Sequence, residues 1–134
     1  MAGVGRVKPT SRKRSVRGVK EEATRLCSRI VRATRGPYCE AGCGAMAKDH
    51  AHIVGRTYAH TRTDETNGLA LCGTCHTKFD SFHDYRTELL ERLGLTEHYV
   101  MLKTKALAGV NVKMDWYAEN DRLRAIAEQM DLAA

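Results

Sequence analysis

Four of the five cysteines fall into two tight pairs, Cys39 with Cys43 and Cys72 with Cys75, and 28 residues separate the inner members. Both spacings are those of four-cysteine zinc sites, and the reason is reach. A tight turn brings two sulfurs within about 4 Å of each other, and two such turns supply the tetrahedron that zinc prefers, at about 2.3 Å per bond. Gly42 and Gly44 flank Cys43, and Gly73 lies inside the other pair. Glycine lets the backbone turn where the sulfurs converge. The competing pairing, two disulfides, belongs to an oxidising compartment. The amino-terminal residues lack the apolar stretch of about 7–15 residues that an export signal carries. A structural zinc ion and a cytoplasmic location are therefore expected. Binding it would contribute about 10 kcal/mol or more of folding free energy, enough to keep a core with few strands ordered. Cys27, beside Leu26 in a helical run, reads as a small buried hydrophobe.

The rest of the chain organises around this cage. At 134 residues there is room for one domain, and no apolar stretch approaches a membrane span. Residues 1–18 combine glycines, serines and bases with few bulky apolar side chains, so a flexible basic arm is predicted there. Residues 19–134 form the folded domain, with a core over 38–93 and a helical extension over 94–134. Val19, Ala23, Leu26, Ile30 and Ala33 recur at helical spacing up to Gly36-Pro37. Short apolar runs at 51–54 and 69–71 predict two strands joined by a polar loop over 56–67. From His76 a helix is expected up to Gly94, with His83 on the face of His76 and Asp80 four residues along it. A segment from Thr96 to Gly109 and a last helix capped by Asp115 complete a small α+β fold. Phe79, Phe82, Tyr85, Tyr99 and Trp116 are expected in the core.

Between and just after the cysteine pairs lie the residues that carry chemistry. These are Cys39-Glu-Ala-Gly-Cys43, the run His50-Ala-His-Ile-Val-Gly-Arg56, Thr61-Arg-Thr-Asp-Glu-Thr-Asn67, and Leu71-Cys-Gly-Thr-Cys-His76. A histidine-bearing strand, an asparagine before the second strand and a histidine at the start of a helix resemble the HNH, or ββα-metal, nucleases. The likeness is to the small phage and prophage type, over residues 39–83. It implies a zinc-stabilised ββα-metal core with flanking helices, a DNA endonuclease activity and a catalytic Mg²⁺, or Mn²⁺ or Ni²⁺. It also implies a histidine base, which commonly stands before Ile and after a metal-binding Asp or His. His52-Ile53 fits the first requirement, but Ala51 cannot coordinate. The residues leave two registers open: His52 as base with Asp49 or His50 binding metal, or His50 as base with Asp49 as ligand. Strand alternation, which puts His50 and His52 on one face and Asp49 on the other, favours the first.

The chemistry is self-consistent. Phosphodiester hydrolysis needs a base to deprotonate water and a cation to neutralise charge on the scissile phosphate. A histidine suits the first role because its ordinary pKa, about 6.5, lies near working pH. Asn67 is expected to orient that base, and His76, fixed by its neighbour Cys75, to hold the catalytic ion. Residues 1–20 carry seven bases and no acid, whereas residues 63–134 carry eight bases against twelve acids. A polyanion should therefore meet the amino-terminal side. Lys13, Arg14, Arg25, Arg29, Arg56 and Arg62 are the candidate phosphate contacts, with Arg32 beside them. His60 and His98 read as surface residues. Two rivals stay open: a zinc-dependent DNA-binding protein with a degenerate nuclease core, and an adaptor whose acidic half docks to phage packaging or recombination proteins.

Overall fold

The computed structural model describes residues 7–132, and it is α+β, as expected. Helix α1 (Val16–Arg35) starts where the Ser15 hydroxyl accepts the Gly18 N–H, and it ends at Gly36. Its apolar stripe, Val19, Ala23, Cys27, Ile30 and Val31, is buried. The facing stripe comes from α6 (Trp116–Gln129), with Trp116, Leu123 and Ala127 buried. Asp115 caps α6 by accepting the Tyr117 and Ala118 N–H groups, as the sequence predicts.

Between these helices in the chain lies the smaller sheet. Strands β1 (Asp49–Ala51) and β2 (Leu69–Leu71) pair antiparallel, with His50 opposite Ala70 and Ala51 opposite Leu69. Within the loop between them runs a single helical turn, α2 (Ala59–Arg62). Helix α3 (Gly73–Ser81) packs on the sheet, followed by α4 (His83–Arg92) and α5 (Thr96–Ala108). Ala51, Ile53, Leu69, Leu71, Phe79, Leu89, Leu90 and Leu102 close a second core beneath the cysteines. Among the described residues no helix is long and apolar enough to cross a membrane.

Three expectations are corrected. The first is the arm predicted over residues 1–18: residues 1–6 lie outside the described part, but α1 already begins at Val16, and residues 7–15 lie against α6. Thr10 is buried and bonds Asp121 through both its N–H and its hydroxyl, and the Arg12 guanidinium pairs with Asp115. The acid that caps α6 thus neutralises Arg12 and Glu22 of α1 neutralises Arg14, which composition read along the chain does not reveal. The second is the single helix expected from His76 to Leu93. It starts three residues earlier, at Gly73, and breaks at Phe82, whose extended backbone separates α3 from α4. Phe82 is consequently 61% exposed instead of in the core. His83 opens a new helix and does not share the face of His76. Third, Gly73 takes an ordinary helical conformation, whereas Gly42 (φ 80°) and Gly44 (φ 87°) adopt the left-handed one that a Cβ disfavours.

One carboxylate welds α1, α6 and the residues before α1. Glu22 accepts both hydrogen bonds of the Arg124 Nη2 group at 2.8 Å, one from Arg14 at 2.9 Å and one from Asn120 at 2.6 Å. Burial pushes its carboxyl pKa up, but the donors from Arg124, Asn120 and Arg14 outweigh burial and hold it at about 2, against an ordinary 4.5. Because the folded pKa lies below the unfolded one, the stabilisation is complete above pH 4.5 and disappears as pH falls towards 2. Glu22→Gln is expected to flatten the pH dependence of the melting temperature across that window. An unchanged slope would show that Glu22 is not the group responsible.

Candidate active site

The cage forms first, because the local chain builds it. Cys39 and Cys43 sit on the turn closed by the Gly42 N–H to Cys39 carbonyl bond, and the Tyr38–Met46 bridge closes the loop behind them. Cys72 is the amino cap of α3, where its sulfur accepts the Cys75 N–H at 3.4 Å. Ligand atoms of all four cysteines lie within 4.8 Å of one another, with the Cys43 and Cys72 sulfurs 3.6 Å apart. Bonds of about 2.3 Å to a tetrahedral zinc ion would set sulfurs about 3.8 Å apart, so the donor set fits. None of the cysteines is in a disulfide. Burial pushes the Cys75 thiol up to about 12, and that of Cys39 upwards too, whereas the Cys75 N–H brings Cys72 down to about 7. A cation is what would ionise the two raised thiols together. Cys27, as expected, is fully buried, and its thiol is pushed to about 12 by burial.

Directly after the cage, the α3 start presents His76. Its Nδ1 lies 3.0 Å from Asp49 Oδ2 and its Nε2 lies 3.1 Å from Asp80 Oδ2. Strand β1 therefore delivers Asp49 to a ring that also borders the histidine cleft, although Asp49 and His50 point to opposite faces. Asp80, one helical turn after His76, is also 3.7 Å from Arg86. The cleft, about 320 Å³, is lined by His50, His52, Gly55, Arg56, His76, Asp80 and Arg86.

The two strand histidines stack with ring centroids 4.1 Å apart, yet their partners differ. His50 has both nitrogens engaged, Nδ1 with the Ser28 hydroxyl at 3.1 Å and Nε2 with the Asn67 carbonyl at 3.2 Å. A carbonyl only accepts, so the ring proton is on Nε2 and Nδ1 accepts from Ser28. His52 faces the Arg62 carbonyl through Nε2 at 3.0 Å, and no partner is seen for its Nδ1 among the described residues. Burial lowers the pKa of His50 to about 4 and that of His52 to about 3, with the charge of His50 adding to the second effect. Both rings are neutral at neutral pH.

Asn67 does not touch either ring with its side chain. The amide is fully buried: Oδ1 accepts the Val54 N–H at 2.7 Å, and Nδ2 donates to the carbonyls of Val54 (3.0 Å) and Thr61 (2.8 Å). It ties the end of the His52 segment to the loop, and its own backbone carbonyl meets His50. Next to it, a Cβ on Gly68 would stand 2.5 Å from His50 Nε2, so the ring lies directly on the backbone there. Ala51 is fully buried in the sheet core and faces away from the cleft.

The candidate phosphate contacts divide. Arg56 lines the cleft, and neither it nor Arg62 has an ion pair among the described residues; the Arg62 Nε is buried without a partner. Burial and the neighbouring Arg56 charge lower the Arg62 pKa. Arg32 is exposed, reaches the Lys48 carbonyl at 3.5 Å, and lies close enough for its charge to be felt at His50. Arg25 and Arg29 border another cavity, of about 620 Å³, between α1 and α6, and Arg14 is taken up by Glu22. Lys13 is exposed. His60 and His98, expected to be idle surface residues, donate to the carbonyls of Val112 (2.7 Å) and Thr66 (2.6 Å).

Ser28, Arg86 and the residues that hold the loop over 62–67 escape sequence reading. Ser28 carries no signal beyond a polar position on α1, and Arg86 lies past a helix break that periodicity does not indicate.

Fold and site together define a small α+β protein in which a four-cysteine cage adjoins a cleft of three histidines and two arginines. Residues 39–83, from the first cage cysteine to the start of α4, match the family described as HNH endonuclease, which supports a nuclease-type function in general. Comparison with curated proteins and with solved structures finds no match.

Proposed function

We propose that the protein is a divalent-cation-dependent endonuclease that hydrolyses DNA phosphodiester bonds, with His52 as the general base. The observation that carries this reading is the partnering of the two strand histidines. The Arg62 carbonyl keeps the His52 proton on Nε2 and leaves the Nδ1 lone pair without a partner, whereas both nitrogens of His50 are occupied. A base needs an available lone pair within reach of water, and His52 alone of the two has one. His50 serves instead to pack beside it and to read the Asn67 carbonyl.

His76, Asp49 and Asp80 are the residues that would hold the catalytic ion. One imidazole nitrogen and two carboxylates suit Mg²⁺, Mn²⁺ or Ni²⁺. Among the described residues only the cysteines already converge as three or more ligands, so binding requires a carboxylate of this set to turn from its contact with His76. When bound, such a cation neutralises charge on the phosphate and acidifies water, which matters for a base whose own pKa is low. The scissile phosphate would lie against Arg56 and Arg62, two guanidinium groups with no ion pair among the described residues. Arg32 beside the cleft, Arg25 and Arg29 further along α1 and Lys13 before it would add phosphate contacts, giving affinity that falls steeply with salt. Zinc in the cysteine cage has a structural role, because four thiolates leave no open position for water.

Four of the twelve acids on which the adaptor alternative would draw are paired internally, Asp64 by Lys105, Glu65 and Glu119 by Arg122, and Asp115 by Arg12. The test is nicking of supercoiled plasmid with Mg²⁺, Mn²⁺ or Ni²⁺ and with chelator. Cleavage that needs the ion and falls about 100-fold or more in His76→Ala is the expected result. Zinc-loaded protein that binds plasmid but leaves it intact in all three ions would instead make this a DNA-binding module.

A further inference from the structure

The carbonyls that hold the two histidines stand at the two ends of one loop. Arg62 carries the acceptor for His52 and Asn67 the acceptor for His50, and the four residues between them, Thr63-Asp64-Glu65-Thr66, are gripped from the helical extension. Arg122 on α6 spans most of this loop. Its Nη2 donates to the Thr63 carbonyl at 3.2 Å, and its Nη1 to both Glu65 oxygens at 2.7 and 3.0 Å. Its Nε and Nη2 also clasp Glu119, at 2.8 and 2.9 Å, and Glu119 in turn accepts from the Thr63 hydroxyl. On α5, Lys105 binds Asp64 at 2.6 Å while Asp64 accepts the Thr66 N–H and hydroxyl, and His98 takes the Thr66 carbonyl. None of Arg122, Glu119, Lys105 and His98 lies within residues 39–83, the segment that matches the HNH family.

We propose that Arg122 is a positioning residue for the histidine pair: through Thr63 and Glu65 it fixes the loop whose end carbonyls set the tautomer and orientation of His52 and His50. The proposal rests on reading the cleft as the nuclease site. The physical requirement is directional. A peptide carbonyl aims a hydrogen bond only if its plane is held, and this loop is irregular, with the one-turn helix α2 before it and strand β2 after it. A planar guanidinium with five donors in a fixed fork can meet both oxygens of two carboxylates and a carbonyl at once, whereas an ammonium with three donors on a flexible stem cannot. The partners reinforce the grip, since Glu119 raises the Arg122 pKa and Arg122 lowers that of Glu119. The same helix packs along α1, which supplies Ser28 to the other nitrogen of His50. Helix α1 therefore bonds one nitrogen of His50 directly, while α6 reaches the other through the loop.

The test compares Arg122→Lys with Arg124→Ala in the full zinc-loaded chain, at a temperature where both are folded. Arg124 is the control because it ties the same helix to Glu22 without touching the loop. Ring ¹⁵N shifts of the histidines report the tautomer, and steady-state cleavage separates kcat from KM. In Arg122→Lys the Nε2-protonated signature of His52 should give way to an averaged one, with kcat down about 10-fold to 100-fold and KM unchanged. Arg124→Ala should keep the wild-type signature and kcat. If Arg122→Lys does not fold, Glu65→Gln, which removes one partner and leaves Glu119, should move the same shifts to a smaller extent. Wild-type shifts in the Arg122 or Glu65 variant, or equal changes in Arg124→Ala, would overturn the proposal. If the wild-type chain does not cleave DNA, the nuclease reading falls while the ring shifts still decide the positioning role.

Discussion

Cys75→Ser is expected to cost the chain its ββα core and with it cooperative unfolding, and removal of bound metal by a strong chelator is expected to do the same to the wild type. The core beneath the cage has strands of three residues each, and a two-stranded sheet of that size is not stable alone. Cys39 and Cys75 are themselves buried members of that core. Cys72 is the cap from which α3 starts, and α3 carries His76. Without an ion, burial keeps the Cys75 and Cys39 thiols protonated, so four sulfurs would be packed together with only weak S–H bonds among them. A bound zinc ion replaces that arrangement with a contribution of about 10 kcal/mol or more, comparable to the whole stability of a small domain. The measurement is circular dichroism melting alongside metal content. The α1–α6 cluster is separate from the cage, so residual helicity should survive in the variant. A metal-free protein that melts as sharply and at the same temperature as the loaded one would show that the cysteines are merely neighbours.

The second large effect is catalytic. His52→Ala should lower plasmid cleavage by about 10²-fold to 10⁴-fold while leaving DNA affinity intact. His50→Ala should cost less, because His50 contributes packing and a hydrogen bond to the Asn67 carbonyl instead of a lone pair. The pH profile adds an independent check. Burial and His50 hold the His52 pKa at about 3, so the base stays unprotonated through the range where a free imidazole would titrate. The acid limb of kcat/KM should therefore lie well below pH 6.5. A profile that falls at the ordinary imidazole pKa, or cleavage that survives His52→Ala and vanishes in His50→Ala, would transfer the role of base to the other ring.

Much of the architecture was legible from short-range patterns. The spacing of 39/43 and 72/75 is a local statement about what a turn can reach, and the cage formed where it pointed. The stripe Val19, Ala23 and Ile30, the stop at Gly36 and the Asp115 cap are equally local. The break at Phe82 was missed because the apolar spacing of Phe79, Phe82 and Leu89, Leu90 runs through it, although Asp80, Ser81, His83 and Asp84 are weak helix formers. Nor was the fate of the basic arm: Arg12 and Arg14 resemble solvated charges until α6 brings Asp115 and α1 presents Glu22 beside them.

Of the cleft, residue types and order along the chain come from the amino-acid sequence: a histidine before Ile53, an asparagine before β2, a histidine after Cys75. Which nitrogen of His52 carries the proton, why the Asn67 carbonyl and not its side chain meets His50, and which arginines have no ion pair among the described residues were decided by tertiary structure alone. The physical reason is separation along the chain. Spacing and periodicity report what a residue does within a turn or two, whereas His52 meets a carbonyl 10 residues away, His76 a carboxylate 27 away, and Arg122 a carboxylate 57 away. Contacts at that range exist only once the two cores have closed around them.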